Sequence, residues 1–241
     1  MMIHRPDAYE IATERVMMER LLPLERARIL ELGCGAAWIT RQFAERFPQS
    51  QFIATEVDEL QHEKNLAQPY LHNLTFCLSG AEAIDEPDES IDVVWMLKSL
   101  HHVPEALMPA AMQEIVRVLK PGGLAFFLEP VYSGEFNDLM RLIHDEKLVR
   151  EQAFHAIQGV VDSGALSLLG EYFFNTPGCY ENWEQFENRF IKITHTALSI
   201  DEDRYDKIRQ VFHSHMGPKG AEFLKPHRVD LLQKPTSKSH K

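Results

Sequence analysis

Apolar positions in the first 130 residues fall into five short runs, separated by stretches in which they recur at helical spacing. The runs are Ile29 to Leu32, Gln51 to Thr55, Leu74 to Leu78, Ile91 to Leu97 and Leu124 to Leu128. Their length and turn-bounded ends predict strands buried on both faces. Between them, Trp38, Ile39 and Phe43 predict a helix to Arg46, and the polar segment Glu59 to Gln68 a second one ended by Pro69. Leu107, Met112, Ile115, Val116 and Leu119 form the stripe of a third helix from about Pro104, which Lys120-Pro121-Gly122-Gly123 closes. Ahead of all this, Asp7 can cap a helix running to about Leu22, with Ala8, Ile11, Ala12, Val16 and Leu21 on one face and Pro23 as its stop. Strands alternating with helices at short spacing predict right-handed crossovers, a parallel sheet and helices on both faces.

After Ser133 the pattern changes. Helical segments around Phe136 to Ile157 and Trp183 to Thr194 are separated by the glycine-containing stretch Gly164 to Gly178, which is read as part of a cap over the sheet. A further helix starts near an Asp201 cap. Ala221 to Leu224 and Arg228 to Leu232, separated by Lys225-Pro226-His227, read as a closing antiparallel hairpin. The expectation is a single doubly wound α/β domain with a mostly parallel seven-stranded sheet, a closing hairpin and a helical cap after the fifth strand. Its parts are an N-terminal helix (1–26), a cofactor-binding core (27–132), the cap (133–200), the last helix with the hairpin (201–235) and a tail (236–241). In such a sheet the ligand lies outside the carboxyl ends of the strands. Gly33, Glu56, Gly80 to Glu82, Leu97 to His102 and Glu129 should therefore converge.

Charge narrows the ligand. The chain carries 25 Lys plus Arg against 36 Asp plus Glu, a formal charge of −11, which disfavours nucleic acid as a partner. Three cysteines without paired spacing suggest neither a disulfide framework nor a structural zinc site, and fit a reducing cytoplasm. No stretch approaches the length of a membrane span, and the first residues lack an apolar signal core. A cytoplasmic protein without a membrane partner is expected.

The chemistry centres on Arg28 to Thr40, where an apolar strand runs into Gly33-Cys34-Gly35 and a helix follows. Glycines let the backbone approach a ligand, and the helix start offers unpaired N–H groups. A dinucleotide fingerprint would want Gly or Ala at position 38, where Trp38 stands, and a phosphate loop would want Gly-Lys-Ser/Thr, which is absent.

With these motifs in order, the chain resembles the class I S-adenosylmethionine-dependent methyltransferases over about residues 27 to 130, especially the small-molecule branch that includes quinone-biosynthesis methyltransferases. The resemblance rests on Glu31-Leu32-Gly33-Cys34-Gly35, the acidic strand end Glu56, Gly80-Ala81-Glu82, Ile91-Asp92-Val93-Val94, and Glu114 through Lys120-Pro121-Gly122-Gly123. It implies S-adenosyl-L-methionine as co-substrate. Gly33, Cys34 and Gly35 would meet its methionine portion, with Glu31 supporting the turn or the ammonium. Glu56 would take the ribose hydroxyls, and Val57, Gly80, Ala81, Glu82 and Leu97 would surround the adenine side. Gly80 stands where the family commonly has Asp, which leaves Glu82 or backbone groups to read the adenine amino group.

Methyl transfer asks mainly for placement of a nucleophile in line with the methyl; a base helps when the acceptor is a hydroxyl or a protonated amine. Lys98, His101, His102, Glu129 and Tyr132 follow the fourth and fifth strands, and His102, Glu129 and Lys98 are the catalytic candidates. His102 could act as base or hold its loop. Lys98 could attract an anionic substrate, bridge to Glu82 or form a structural ion pair. Glu129 could orient substrate or simply end the strand. Two adjacent histidines without a well-spaced third ligand predict no metal. The aromatics Tyr172, Phe173, Phe174, Tyr180, Trp183, Phe186 and Phe190 could line a substrate pocket or form core. The leading expectation is methyl transfer to a small organic acceptor, oxygen or carbon ahead of nitrogen or sulfur. The alternative is a methyltransferase-fold protein that binds the cofactor without turnover. A nucleic-acid or protein methylase is disfavoured by charge, and a nicotinamide oxidoreductase by Trp38.

Overall fold

The computed structural model describes residues 1–192 and 200–236. Thr194 and most of the expected tail lie outside them.

The parallel half forms where the apolar runs predict it. β1 (Glu10–Ile11) and α1 (Glu14–Leu21) precede β2 (Arg28–Leu32), α2 (Trp38–Arg46), β3 (Gln51–Glu56), α3 (Glu59–Leu66), β4 (Leu74–Leu78) and β5 (Ile91–Leu97). Then come α4 (Met108–Val118), β6 (Leu119–Pro130), α5 (Glu135–Met140) and α6 (Lys147–Asp162). The chain continues through β7 (Ser167–Tyr180), α7 (Trp183–Phe190), α8 (Glu202–Ser214), β8 (Met216–Gly217) and β9 (Gly220–Gln233).

Among the described residues the sheet has nine strands in the order β1-β7-β9-β6-β5-β2-β3-β4, with β8 added to β9. β4, β3, β2, β5 and β6 run parallel, and β9 enters antiparallel to both β6 and β7. Each central strand buries both faces. Ile29, Phe52, Val93, Trp95 and Phe126 pack with Met17 and Met18 of α1 and Phe43 of α2. Leu30, Val94 and Met96 pack on the other side against Met112 and Ile115 of α4 and Ala153 and Ile157 of α6.

Three sequence expectations need correction. Asp7 does not cap the first helix: it sits in a short helical turn, Pro6–Ala8, and Thr13 is the cap, its hydroxyl accepting from the Val16 N–H at 3.3 Å. Glu10 and Ile11 are held extended by pairing with Phe174 and Asn175 of β7, so Ile11 cannot belong to a helix face. The closing antiparallel pair is present, but its members differ. Residues 220–233 form one strand through Lys225-Pro226-His227, and its partner is 167–180, which lies inside the segment read as cap. Pro226 is tolerated because β6 ends beside it, with Pro130 opposite His227, and only its carbonyl is called on, accepting the Val131 N–H at 2.9 Å. Tyr172, Phe173 and Phe174 thereby belong to the sheet.

α5 and α7 share a separate core with α8, while α6 packs on the sheet. Leu139 of α5, Phe186 of α7, and Ile208 and Phe212 of α8 close over Tyr180 and Phe223 at the ends of β7 and β9. No helix among the described residues is long and apolar enough to cross a membrane.

Candidate functional site

At the carboxyl ends of β2, β3 and β5 a cleft of about 810 Å³ opens, and its lining gathers residues spread over 75 positions of sequence, from Gly33 to Leu107. Gly33, Cys34, Gly35, Glu56, Val57, Gly80, Ala81, Glu82, Leu97, Lys98 and His102 all line it. Two of the expected site residues do not. Glu31 is buried, with a hydroxyl donated by Thr40 of α2, and Glu129 is buried against His101.

The turn after β2 is built from both sides. Gly33 and Gly35 take φ of +70° and +52°, a region costly for residues with a Cβ. A Cβ on Gly33 would stand 2.8 Å from that of Ser99, so the strand ends close only over a glycine. The Ser99 hydroxyl donates to the Leu32 carbonyl at 2.7 Å, and Asn65 of α3 donates to the Gly35 carbonyl at 2.7 Å. Asn65 escaped sequence reading, and Ser99 entered it only as part of Leu97 to His102; the hint was that so tight a turn needs its carbonyls satisfied from elsewhere.

Glu56 ties the turn to the next strand. One carboxylate oxygen accepts the Gly35 N–H at 2.7 Å, the other the N–H groups of Val57 at 2.8 Å and Asp58 at 3.0 Å. Asp58 caps α3 as expected, accepting from the Gln61 N–H at 2.9 Å. On the far wall, the Glu82 carboxylate folds over Gly80, its carboxyl carbon 2.6 Å from where a Cβ of residue 80 would be.

The rim carries the polar groups suited to chemistry. Lys98 ends β5 with φ +60°, a left-handed conformation that costs a non-glycine residue about 1–2 kcal/mol. Its ammonium pairs with Glu14 of α1 at 2.6 Å; the bridge to Glu82 does not form. His102 faces the cleft. Burial, then the neighbouring His101 ring, pushes its pKa down, so it is a neutral acceptor at neutral pH. His101 is buried, its Nδ1 bound to Glu129, which also accepts the Leu100 N–H at 3.1 Å. Glu129 thus fixes the loop that presents His102. Burial raises the Glu31 carboxyl from 4.5 to about 7, the Thr40 hydroxyl and Trp95 indole opposing and Glu56 reinforcing the shift. Burial likewise raises the Cys34 thiol, so this cysteine is no ready nucleophile.

Glu146 is the third group that sequence spacing did not offer beside the histidine pair. Its carboxylate, His101 and His102 each place a ligand atom within 4.8 Å of the others. Arg150 pairs with Glu146 at 2.6 Å.

Residues 29–123 match the protein family described as methyltransferase domain. The chain is 27% identical over 137 residues to the methyltransferase GfsG of Streptomyces halstedii, covering 55% of this chain and 48% of that one. It is 29% identical over 110 residues to the ubiquinone/menaquinone biosynthesis C-methyltransferase UbiE of Geobacter sulfurreducens, covering 44% and 42%. Residues 29–123 thus carry a methyltransferase domain. The chain spans about half the length of the curated relatives it matches. In fold, it superposes on the YcgJ protein of Bacillus subtilis with a TM-score of 0.63 at 19% identity, over 92% of this chain and 97% of that one.

S-adenosylmethionine is the co-substrate of the methyltransferase family, and the cleft suits it on this chain's own geometry. Gly33 and Gly35 leave the turn open to close backbone approach, and the volume lies in the 300–1,000 Å³ range of small-molecule sites. Val57, 67% exposed, offers an apolar surface beside Glu56 that the fold itself leaves uncovered.

Proposed function

We propose that this methyltransferase transfers the methyl of S-adenosylmethionine to a small organic acceptor, oxygen or carbon ahead of nitrogen or sulfur. The observation that carries the reading is the convergence of Gly33 to Gly35, Glu56, Val57, Ala81 and Glu82 with Lys98 and His102 on one cleft. Gly33, Cys34 and Gly35 would hold the methionine portion, Glu56 the ribose, and Val57, Ala81 and Glu82 the adenine. When bound, S-adenosylmethionine supplies a methyl carried on a sulfonium, which departs as the neutral thioether S-adenosylhomocysteine once a nucleophile takes the methyl.

The chain's own contribution is placement and proton handling. Alignment within about 3–3.5 Å provides most of the acceleration. His102, neutral and facing the cleft, accepts the acceptor's proton when the nucleophile is a hydroxyl. Glu129 acts through His101 and the Leu100 backbone as a positioning residue. Glu31 acts likewise on the glycine turn, through Thr40. The reading assigns no role to a resident metal, so turnover should survive a chelator.

The non-catalytic alternative drew its support from the missing Asp at position 80. Glu82 places a carboxylate over that position, which supports the catalytic reading instead. The test is S-adenosylhomocysteine formation on incubation with S-adenosylmethionine and a metabolite extract. Tight cofactor binding without product would favour the non-catalytic reading.

A further inference from the structure

Two cavities adjoin the cofactor cleft, one of about 650 Å³ against α1, β7 and α2, the other of about 260 Å³ under α5, α6 and α7. Both are lined by Lys98, Arg189, Lys225 and His227. Lys98 also lines the cofactor cleft, and His102 lines both the cleft and the smaller cavity. The three spaces therefore meet at Lys98.

Their charge is lopsided. The larger cavity has one acid, Glu14, already paired with Lys98, and the smaller has one, Glu146, already paired with Arg150. Lys225 and Arg189 have no carboxylate partner among the described residues. In a chain of net charge −11, such a concentration of unmatched cations is a local device, not a reflection of the whole surface.

Lys225 is the most telling. Its ammonium donates to the Tyr180 hydroxyl and lies 4.4 Å from the centre of the Phe136 ring. Burial, aided by Arg189 and Lys98 and opposed by Glu14, which is itself paired with Lys98, lowers its pKa to about 8. An ammonium withdrawn from water without a counter-ion is costly to the folded protein, and an anion would relieve the cost.

Unused polar atoms point the same way. His227 Nδ1 and Thr176 Oγ1 in the larger cavity, and Arg150 Nε in the smaller, are buried without a hydrogen-bond partner among the described residues. His227 is 5% exposed and lines both cavities. Native proteins rarely leave such atoms unmatched unless a ligand or water completes them. Phe136, Met140, Phe190 and Val131 add an apolar wall.

We propose that the methyl acceptor is a small organic anion, an acid group on an apolar body, seated by Lys225, Arg189 and Lys98 at the edge of the cofactor cleft. The inference rests on the methyltransferase reading of that cleft. Carboxylate and phosphate share the chemistry this seat recognises: two or three charge-assisted donors over an apolar floor.

Calorimetry on the full chain, with and without S-adenosylhomocysteine, tests it with benzoate, phenyl phosphate and the neutral benzamide as probes. One anion per chain should bind, benzamide should not, and Arg189→Gln and Lys225→Met should each weaken the anion about tenfold or more. Arg189 is exposed, so its variant reports even where Lys225→Met fails to fold. Preference for benzoate identifies a carboxylate seat, and preference for phenyl phosphate a phosphate seat. The proposal is overturned by the absence of anion binding at millimolar concentration, by benzamide binding equally, or by variants that retain the parent affinity. S-adenosylhomocysteine affinity is read in the same titrations. Its absence would count against the methyltransferase reading, while anion binding decides the seat separately.

Discussion

Glu82 occupies with its carboxylate the space that a side chain on Gly80 would fill. A carboxylate from two residues along thus stands where the family resemblance would put an Asp. Glu82→Ala should therefore weaken S-adenosylmethionine by about tenfold while leaving the melting temperature unchanged. Gly80→Ala should displace the flexible carboxylate and weaken binding by less. Gly80→Asp combined with Glu82→Ala should restore it. Equal affinity across the set, measured by calorimetry, would show that backbone groups alone read the adenine.

Glu56 accepts three backbone N–H groups, and the proposed function gives it the ribose as well. Hydrogen bonds to a charged acceptor are worth roughly 1.5–3 kcal/mol each, so Glu56→Ala should weaken the cofactor tenfold or more and also lower the melting temperature. Glu56→Gln should keep the Val57 and Asp58 bonds through its amide oxygen but turn its NH2 against the Gly35 N–H, so it should lose less stability than Glu56→Ala and still lose affinity. Calorimetry beside thermal melting separates the two effects. A Gln variant with parental affinity would remove Glu56 from the ribose site.

The pH–rate profile reports on His102. Its pKa lies below 6.5, because burial and His101 disfavour the imidazolium. A base must be deprotonated, so for a hydroxyl acceptor the acid limb of kcat should fall below pH 6.5. His102→Asn should abolish that limb and slow turnover about a hundredfold, within the usual range for a lost general base. A variant that keeps the limb would make His102 a loop residue only.

Stability should carry the signature of Glu31. Its carboxyl is raised from 4.5 to about 7 in the folded state, chiefly by burial. Between those values the folded protein retains a proton that the unfolded chain has lost, so this residue makes stability fall as pH rises from about 4.5 to 7. Below and above that window its contribution is flat. Glu31→Gln should remove the slope, gaining on the order of 2–3 kcal/mol over the parent at pH 8 relative to pH 4. Denaturant titrations at the two pH values check it, and parallel curves would contradict it.

The halves of the chain differ in how legible they were. Ile29 to Leu32 and Ile91 to Leu97 announce themselves because a parallel strand buried on both faces is an unbroken apolar run. β7 and β9 do not, since Gly170, Pro177 and Gly178 interrupt the first and Pro226 the second, and their pairing spans about 40 to 65 residues of intervening chain. At the site, Lys98 and His102 were visible as polar residues just past a buried strand. Glu31 and Glu129 were placed at the right strand ends, but their side chains point to Thr40 and His101 instead of the cleft, a choice of face that single positions do not reveal. Arg189 and Lys225 could not be tied to Lys98 from sequence, because only the packing of α7 and β9 brings them there.

The central claim is turnover at the cleft lined by Gly33, Glu56 and His102. The direct measurement is transfer of label from methyl-labelled S-adenosylmethionine into the small-molecule fraction of a metabolite extract, with S-adenosylhomocysteine quantified in parallel. The account predicts labelled product and S-adenosylhomocysteine in equal amounts, both strongly reduced in Glu56→Ala. Tight binding of S-adenosylmethionine with no label transferred, or no binding at all, would contradict it.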